Sequence, residues 1–197
     1  MFARIAERIT EELEDNQIIK SEDRELYAYG LNQGITIILN MITTFCIGLL
    51  FGCVVELLVF MVAYIPLRSF AGGYHAKTPL KCYLSSIVML IIVSVAIQYV
   101  ALKIWVHYVI AAVSVMIIAV LAPVEDRNKP LDEMEMKVYK RRTIVVLSVE
   151  IVLFGFSILF KWDSVRIIMS YELTLMSIIL MIGSLKNKVN DFLKSIE

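Results

Sequence analysis

Long apolar runs alternate with short polar segments along most of the chain. Four runs have the length of a membrane span, about 84–102, 105–124, 143–160 and 165–185, since a bilayer crossing takes roughly 20 mostly apolar residues. The apolar stretch from Ile35 to Pro66 is too long for one crossing, because at ~1.5 Å per residue it would reach ~48 Å against a ~30 Å hydrocarbon core. Gly48 and Gly52 offer a break, and two short spans, 34–51 and 53–67, are expected as a tight hairpin. The first fifteen residues set Phe2, Ile5, Ile9 and Leu13 at helical spacing opposite Arg4, Glu7, Arg8, Glu11 and Glu12. That pattern predicts an amphipathic helix, lying on the membrane surface or packed on the protein's own loops.

Charge placement decides between five and six spans. With six, sixteen Lys and Arg fall in the two terminal segments and the alternate loops on their side, and three (Lys103, Lys161 and Arg166) fall opposite. With five, the division becomes seven against twelve. The positive-inside rule selects six spans with both termini cytoplasmic. The expected fold class is an all-α polytopic membrane protein, with about six transmembrane helices and an N-terminal interfacial amphipathic helix. The expected organisation is one membrane domain over 1–197, divided into a cytoplasmic amphipathic segment (1–32), a six-span bundle (33–185) and a cytoplasmic tail (186–197). The polar stretch from Val124 to Arg142 is read as the largest loop.

Composition agrees with this reading. Of 197 residues, 59% are hydrophobic and 19% charged, with a mean hydropathy of +0.75, an excess that one soluble core cannot absorb. Nineteen basic residues balance nineteen acidic ones, so no general field recruits nucleic acid. Cys46, Cys53 and Cys82 are odd in number and form no CxxC or Cys/His cluster, so no disulfide framework, metal or cofactor is expected. The first residues contain no apolar signal-peptide core.

The loop after the second span, from Pro66 to Ser86, carries the candidate chemistry. Gly72-Gly73 permits backbone geometry and close approach denied to other residues. Thr78-Pro79 reads as a helix start, Thr as N-cap and Pro in the first helical position, which places Cys82 in the first turn. The positive end of a helix favours a thiolate there, with Arg68, Lys77 and Lys81 nearby in sequence. Cys82 is the candidate nucleophile and His75, seven residues earlier, the candidate base. On one continuous helix they would stand ~10.5 Å apart, so His75 is expected in a loop folded back over the helix end. Arg68 is read either as a snorkelling interfacial cation or as a group that binds a substrate carboxylate or an oxyanion. His107 is read as an interfacial packing residue, Cys46 and Cys53 as small apolar residues, and Glu56 and Glu150 as interhelical hydrogen-bonding residues.

The string Arg68-Ser69-Phe70-Ala71-Gly72-Gly73-Tyr74-His75-Ala76, followed by Cys82, closely resembles the signature of the AgrB family. These are bacterial membrane-embedded cysteine endopeptidases that process AgrD-type pro-peptides into quorum-sensing autoinducers. Ala122-Pro123 and Asn128-Lys129-Pro130-Leu131 resemble that family's loop between spans four and five. The resemblance implies Cys82 as nucleophile, His75 as general base, and Arg68, Gly72 and Gly73 in orienting substrate or shaping the loop. It implies a thioester intermediate, an AgrD-like amphipathic pro-peptide and the lipid bilayer as partners, and a location in the bacterial cell membrane with the site at the cytoplasmic face. A homodimer is consistent with it, although the spans hold no GxxxG motif beyond the Gly48/Gly52 pair assigned to the hairpin. The competing class is a non-enzymatic small transporter or a sensor-associated membrane protein, for which no internal repeat is visible.

Overall fold

Apolar runs of this length leave the backbone one way to satisfy its own polar groups in lipid, and the described residues are predominantly helical. The computed structural model describes residues 2–73, 79–125 and 132–194. Its α-helices are α1 (Phe2–Asp15), α2 (Arg24–Phe51), α3 (Val54–Ala71), α4 (Pro79–Tyr99), α5 (Ile104–Leu121), α6 (Glu133–Leu159) and α7 (Asp163–Lys194), with no strand among the described residues. Six of them, α2 to α7, are long and apolar enough to cross a membrane. The chain is an all-α, multi-pass membrane protein.

The chain forms two compact units, Met1–Cys46 and Ile47–Glu197. In the first, α1 buries Ala6 and Thr10 and leaves Ile5 and Ile9 exposed. Arg24 at the head of α2 reaches Glu11 at 2.8 Å and Glu14 at 3.5 Å. Two expectations change here. Helix α2 begins ten residues before the predicted span, so much of the segment read as cytoplasmic is continuous with the first crossing. It therefore carries Gly30 and Gly34, a GxxxG pair beyond the Gly48/Gly52 one expected to stand alone, on the same helix as the first crossing, where an added Cβ would meet nothing within 4 Å. With Leu26, Tyr27, Leu31, Ile35 and Ile38 they line an open groove of about 590 Å³.

The second unit starts with the predicted hairpin. Gly52 takes a left-handed φ of 66°, its N–H donates to Leu49 O at 3.3 Å, and the Cys53 N–H donates to Gly48 O at 2.9 Å. This paired closure ends a helix on a left-handed residue. Gly48 is needed for a second reason: a Cβ there would lie 2.8 Å from Val54 Cα, so the small residue lets α3 start against the end of α2. Helix α3 then runs through Pro66 to Ala71 rather than stopping near residue 67. Helix α6 opens at Glu133, ten residues before the predicted span, so half of the expected polar loop is helical. Asp132 accepts from the Glu135 N–H at 2.6 Å while Glu135 accepts from the Asp132 N–H at 3.2 Å, a reciprocal cap that needs no lipid.

Helix α7 is central. It packs against α5, α3, α6 and α4, and half of its spanning residues are buried, against about a fifth in the other five candidate spans. One apolar cluster joins α3, α5, α6 and α7 through Leu67, Ile118, Leu147, Leu173 and Met176; another joins Ile47 to α3, α4 and α7 through Leu57, Phe60, Leu90 and Ile168. Hydroxyls within the helices are satisfied locally, as where Ser94, Thr143 and Thr174 donate to carbonyls four residues back. The outward faces stay apolar, with Leu50, Val62, Val120 and Leu159 at least three-quarters exposed, a surface suited to lipid rather than water.

Candidate active site

The predicted loop leaves α3 through a turn that the sequence permits only because two glycines follow Ala71. Gly72 has φ 70° and Gly73 φ 106°, the left-handed region that side chains oppose. The turn is stitched to the segment after α5: the Val124 N–H donates to Ala71 O at 2.9 Å and the Gly73 N–H to Val124 O at 2.8 Å, forming a parallel bridge between Gly72 and Val124. Any Cβ on Gly72 would stand 2.2 Å from Val124 O. One on Gly73 would meet Ile179 Cγ2 of α7 at 3.0 Å and Arg68 Nη1 at 3.3 Å. Asn187 of α7 donates to Glu125 O at 2.9 Å, so the ends of α3, α5 and α7 meet at this turn.

Arg68 sits one turn before the end of α3, and its guanidinium donates to Gly72 O. It also donates to the Tyr64 hydroxyl one turn back. Planar fork geometry suits such a two-sided grip. Arg68 is therefore neither a simple snorkelling cation nor solely a substrate ligand, because part of its donor set fixes the glycine turn. Helix α4 begins at Pro79 as the sequence indicated, with Cys82 exposed near its start. The Cys82 carbonyl accepts from Ser85 Oγ at 2.8 Å and Ser86 Oγ at 3.1 Å, which holds the first turns of α4. Tyr64 lies within electrostatic range of Cys82 and of Glu172. The structure thus gathers Arg68, Gly72 and Gly73 into one turn and brings Cys82 into the neighbourhood of Tyr64. His75 and Thr78 lie outside the described residues, as does Asn128–Leu131.

Next to the turn, Phe70 packs edge-on against Tyr139 with ring centres 6.2 Å apart, and the Arg142 guanidinium stands 5.3 Å above the Phe70 ring. A mainly apolar groove of about 460 Å³ opens there between α3 and α6, lined by Phe70, Val138, Arg141, Arg142, Val145 and Val146. Arg141 and Arg142, at the end of the stretch read as the largest loop, are part of this wall. At the opposite end of the bundle His107 is fully buried, with Nδ1 2.7 Å from Ser170 Oγ; since that hydroxyl already donates to Ile167 O, the ring N–H is the donor. His107 packs edge-on against Tyr171, a packing role as expected, though inside the bundle and not at its surface. Arg166, expected in a loop, is buried in the first turn of α7, donates to Tyr108 Oη at 2.9 Å and pairs with Asp163.

The reading of Glu150 needs correction. It is buried on α6, but neither carboxylate oxygen has a hydrogen-bond partner. Glu56 is half-buried in the first turn of α3. Sequence reasoning missed Tyr64, Val124 and Glu172. Glu172 lies in the middle of span six and was open to the same argument that drew attention to Glu150. Val124 had no local signal, because its role is a backbone pairing across more than fifty residues of chain.

A helical multi-pass bundle with a thiol at the head of one span, beside a pinned double-glycine turn, defines the class: a membrane protein with a candidate nucleophilic site at one end. The family model for Accessory gene regulator B matches residues 6–185, and the chain belongs to that family. It is 26% identical over 157 residues to a putative AgrB-like protein of Clostridium perfringens strain SM101, covering 76% of this chain and 73% of the relative. A second putative AgrB-like protein, from strain 13 of that organism, is 25% identical over 83% of this chain and 80% of the relative. An accessory gene regulator protein B of Staphylococcus saprophyticus is 30% identical over 50% of this chain and 49% of the relative. No solved structure matches the chain.

Proposed function

We propose that this protein is a cysteine endopeptidase of the inner membrane face that cleaves a short amphipathic AgrD-type pro-peptide and retains the acyl part as a thioester on Cys82. The observation that carries the reading is the exposed Cys82 at the start of α4, immediately after the loop that the Arg68–Gly72–Gly73 turn anchors. His75 takes the thiol proton, and the thiolate sulfur attacks the scissile carbonyl. The peptide C–N bond then breaks as the imidazolium returns its proton to the departing amine. A thiol or hydroxyl within the retained peptide attacks the thioester, closing a ring and restoring the Cys82 thiol. Thioester-to-thiol exchange is nearly isoenergetic, so activation survives provided water is excluded, and a site at a lipid boundary favours that.

Arg68 acts first as the clamp of the glycine turn, and the groove walled by Phe70, Arg141 and Arg142 offers an apolar, basic-rimmed bed beside it for an amphipathic peptide. The test is reconstitution of the purified protein in liposomes with a candidate pro-peptide, read by mass spectrometry. Wild type should give a peptide adduct at Cys82 and a released C-terminal fragment. Cys82→Ser should lose thioester and ring product at normal membrane abundance. Undiminished processing by Cys82→Ser, or full-rate cleavage by His75→Ala, would reject the assignment.

A further inference from the structure

Two carboxyl groups lie inside the bundle where the peptidase chemistry has no use for them. Glu150 on α6 and Glu172 on α7 are 3% and 0% exposed. They stand within electrostatic range of each other, and none of their four oxygens has a hydrogen-bond partner. Glu150 is ~12 Å along α6 from Arg142, and Glu172 is ~13 Å along α7 from Asp163, at ~1.5 Å per residue. Both therefore sit deep within their crossings.

Other buried polar groups of this bundle found partners: His107 with Ser170, Ser114 with Thr174, Arg166 with Tyr108 and Asp163. Only the Nε of Arg166 joins the two carboxyls as buried and unpartnered among the described side chains. The groups facing the pair do not neutralise it. From α3 the Tyr64 phenol lies within range of Glu172, but it is engaged by Arg68, and Arg68 is itself directed to Gly72 O. Two anions facing each other in a dry interior repel strongly and have lost their hydration. Four buried carboxyl oxygens without a donor, on two helices packed against each other, call for a small cation.

We propose that Glu150 and Glu172 together hold one exchangeable monovalent cation, a proton or an alkali-metal ion, between α6 and α7. Either ion does the same thing: it sits between carboxyl oxygens, removes their mutual repulsion and cancels one of the two charges, leaving a single delocalised negative charge in place of two facing ones. They differ in what controls occupancy, acidity in one case and salt in the other. The Tyr64–Arg68 pair then lies between this site and the glycine turn. The proposal stands independently of the peptidase reading, and its test does not use cleavage.

The experiment uses purified full-length protein in nanodiscs. Thermal midpoints are followed against sodium or potassium chloride, with choline chloride holding ionic strength. Difference infrared spectra follow the carboxylic C=O band as pH is raised. An alkali ion predicts a saturable rise of about 5–10 °C at a hundredfold excess over the dissociation constant, absent from Glu150→Gln/Glu172→Gln. A proton predicts no alkali response but a titrating C=O band that the double variant lacks. A wild type indifferent to both, or a response unchanged in the double variant, overturns the proposal. If the double variant cannot be recovered, Glu150→Gln alone should move the saturation midpoint at least tenfold, and an unmoved midpoint is equally fatal.

Discussion

Gly72 meets two independent obstacles to substitution. Its φ of 70° and ψ of −138° lie in a region open essentially to glycine and cost a side-chain-bearing residue ~1–3 kcal/mol, and the added carbon would collide with Val124 O, a backbone atom already held by the Gly73 N–H. Gly72→Ala should therefore break the pairing, lower the thermal midpoint and abolish peptide processing. Gly73→Ala, strained by its φ of 106°, meets Ile179 Cγ2 at 3.0 Å and Ile179 O at 3.2 Å rather than a backbone oxygen at 2.2 Å, and should lose less stability; a calorimetric ranking in detergent with Gly73→Ala below Gly72→Ala would count against this geometry. Arg68→Lys should keep charge and abundance but lose the simultaneous grip on Gly72 O and Tyr64, cutting processing roughly tenfold or more while the fold persists. The sequence alone singled out Arg68, Gly72, Gly73, His75 and Cys82 as candidates, because they are close in the chain and chemically unusual, and of these the structure joins Arg68, Gly72 and Gly73 in one turn. It could not reveal Val124, whose importance comes from a tertiary backbone pairing, whereas Tyr64 stands four residues before Arg68 on the same helix and was legible as its neighbour. Glu172 was legible in principle, as an acid amid apolar residues.

Helix ends explain where hydropathy misplaced boundaries. A hydropathy window registers what lipid requires, so it finds the centres of spans but overlooks polar turns that continue the same helix outside the bilayer. That is why α2 starts at Arg24 and α6 at Glu133 rather than near residues 34 and 143. The start of α6 was nonetheless written in Asp132-x-x-Glu135, a reciprocal cap signature; Asp132→Ala should cost about 1 kcal/mol, read as a lower thermal midpoint. The hairpin break was legible from Gly48 and Gly52. The turn between α6 and α7 uses the same closure with a residue less suited to it: Lys161 has φ 57°, with Lys161 N–H to Ile158 O at 3.3 Å and Trp162 N–H to Ser157 O at 2.9 Å. Lys161→Gly should therefore be stabilising by ~0.5–1 kcal/mol, whereas Gly52→Ala, with open space around its Cβ, should be destabilising by the conformational cost alone. Opposite signs in thermal denaturation would check both.

Across the whole molecule, the charge asymmetry that selected six spans also predicts sidedness. In a background with all three cysteines replaced by alanine, Trp162→Cys should react with a membrane-impermeant maleimide on intact cells. Lys188→Cys should react only after permeabilisation, since both positions are exposed but lie at opposite ends of α7 or its approach. The central place of α7 has a further bearing, on biosynthesis. The helix its neighbours need is made after all of them. Until it leaves the translocon, His107 lacks Ser170 and Tyr171 and Glu150 lacks the helix that covers it, so both must face lipid or the insertion machinery. A chain that stops before Asp163 is thus an orphan with polar side chains in the hydrocarbon, and membrane quality control should degrade it rather than let it accumulate as a partial bundle.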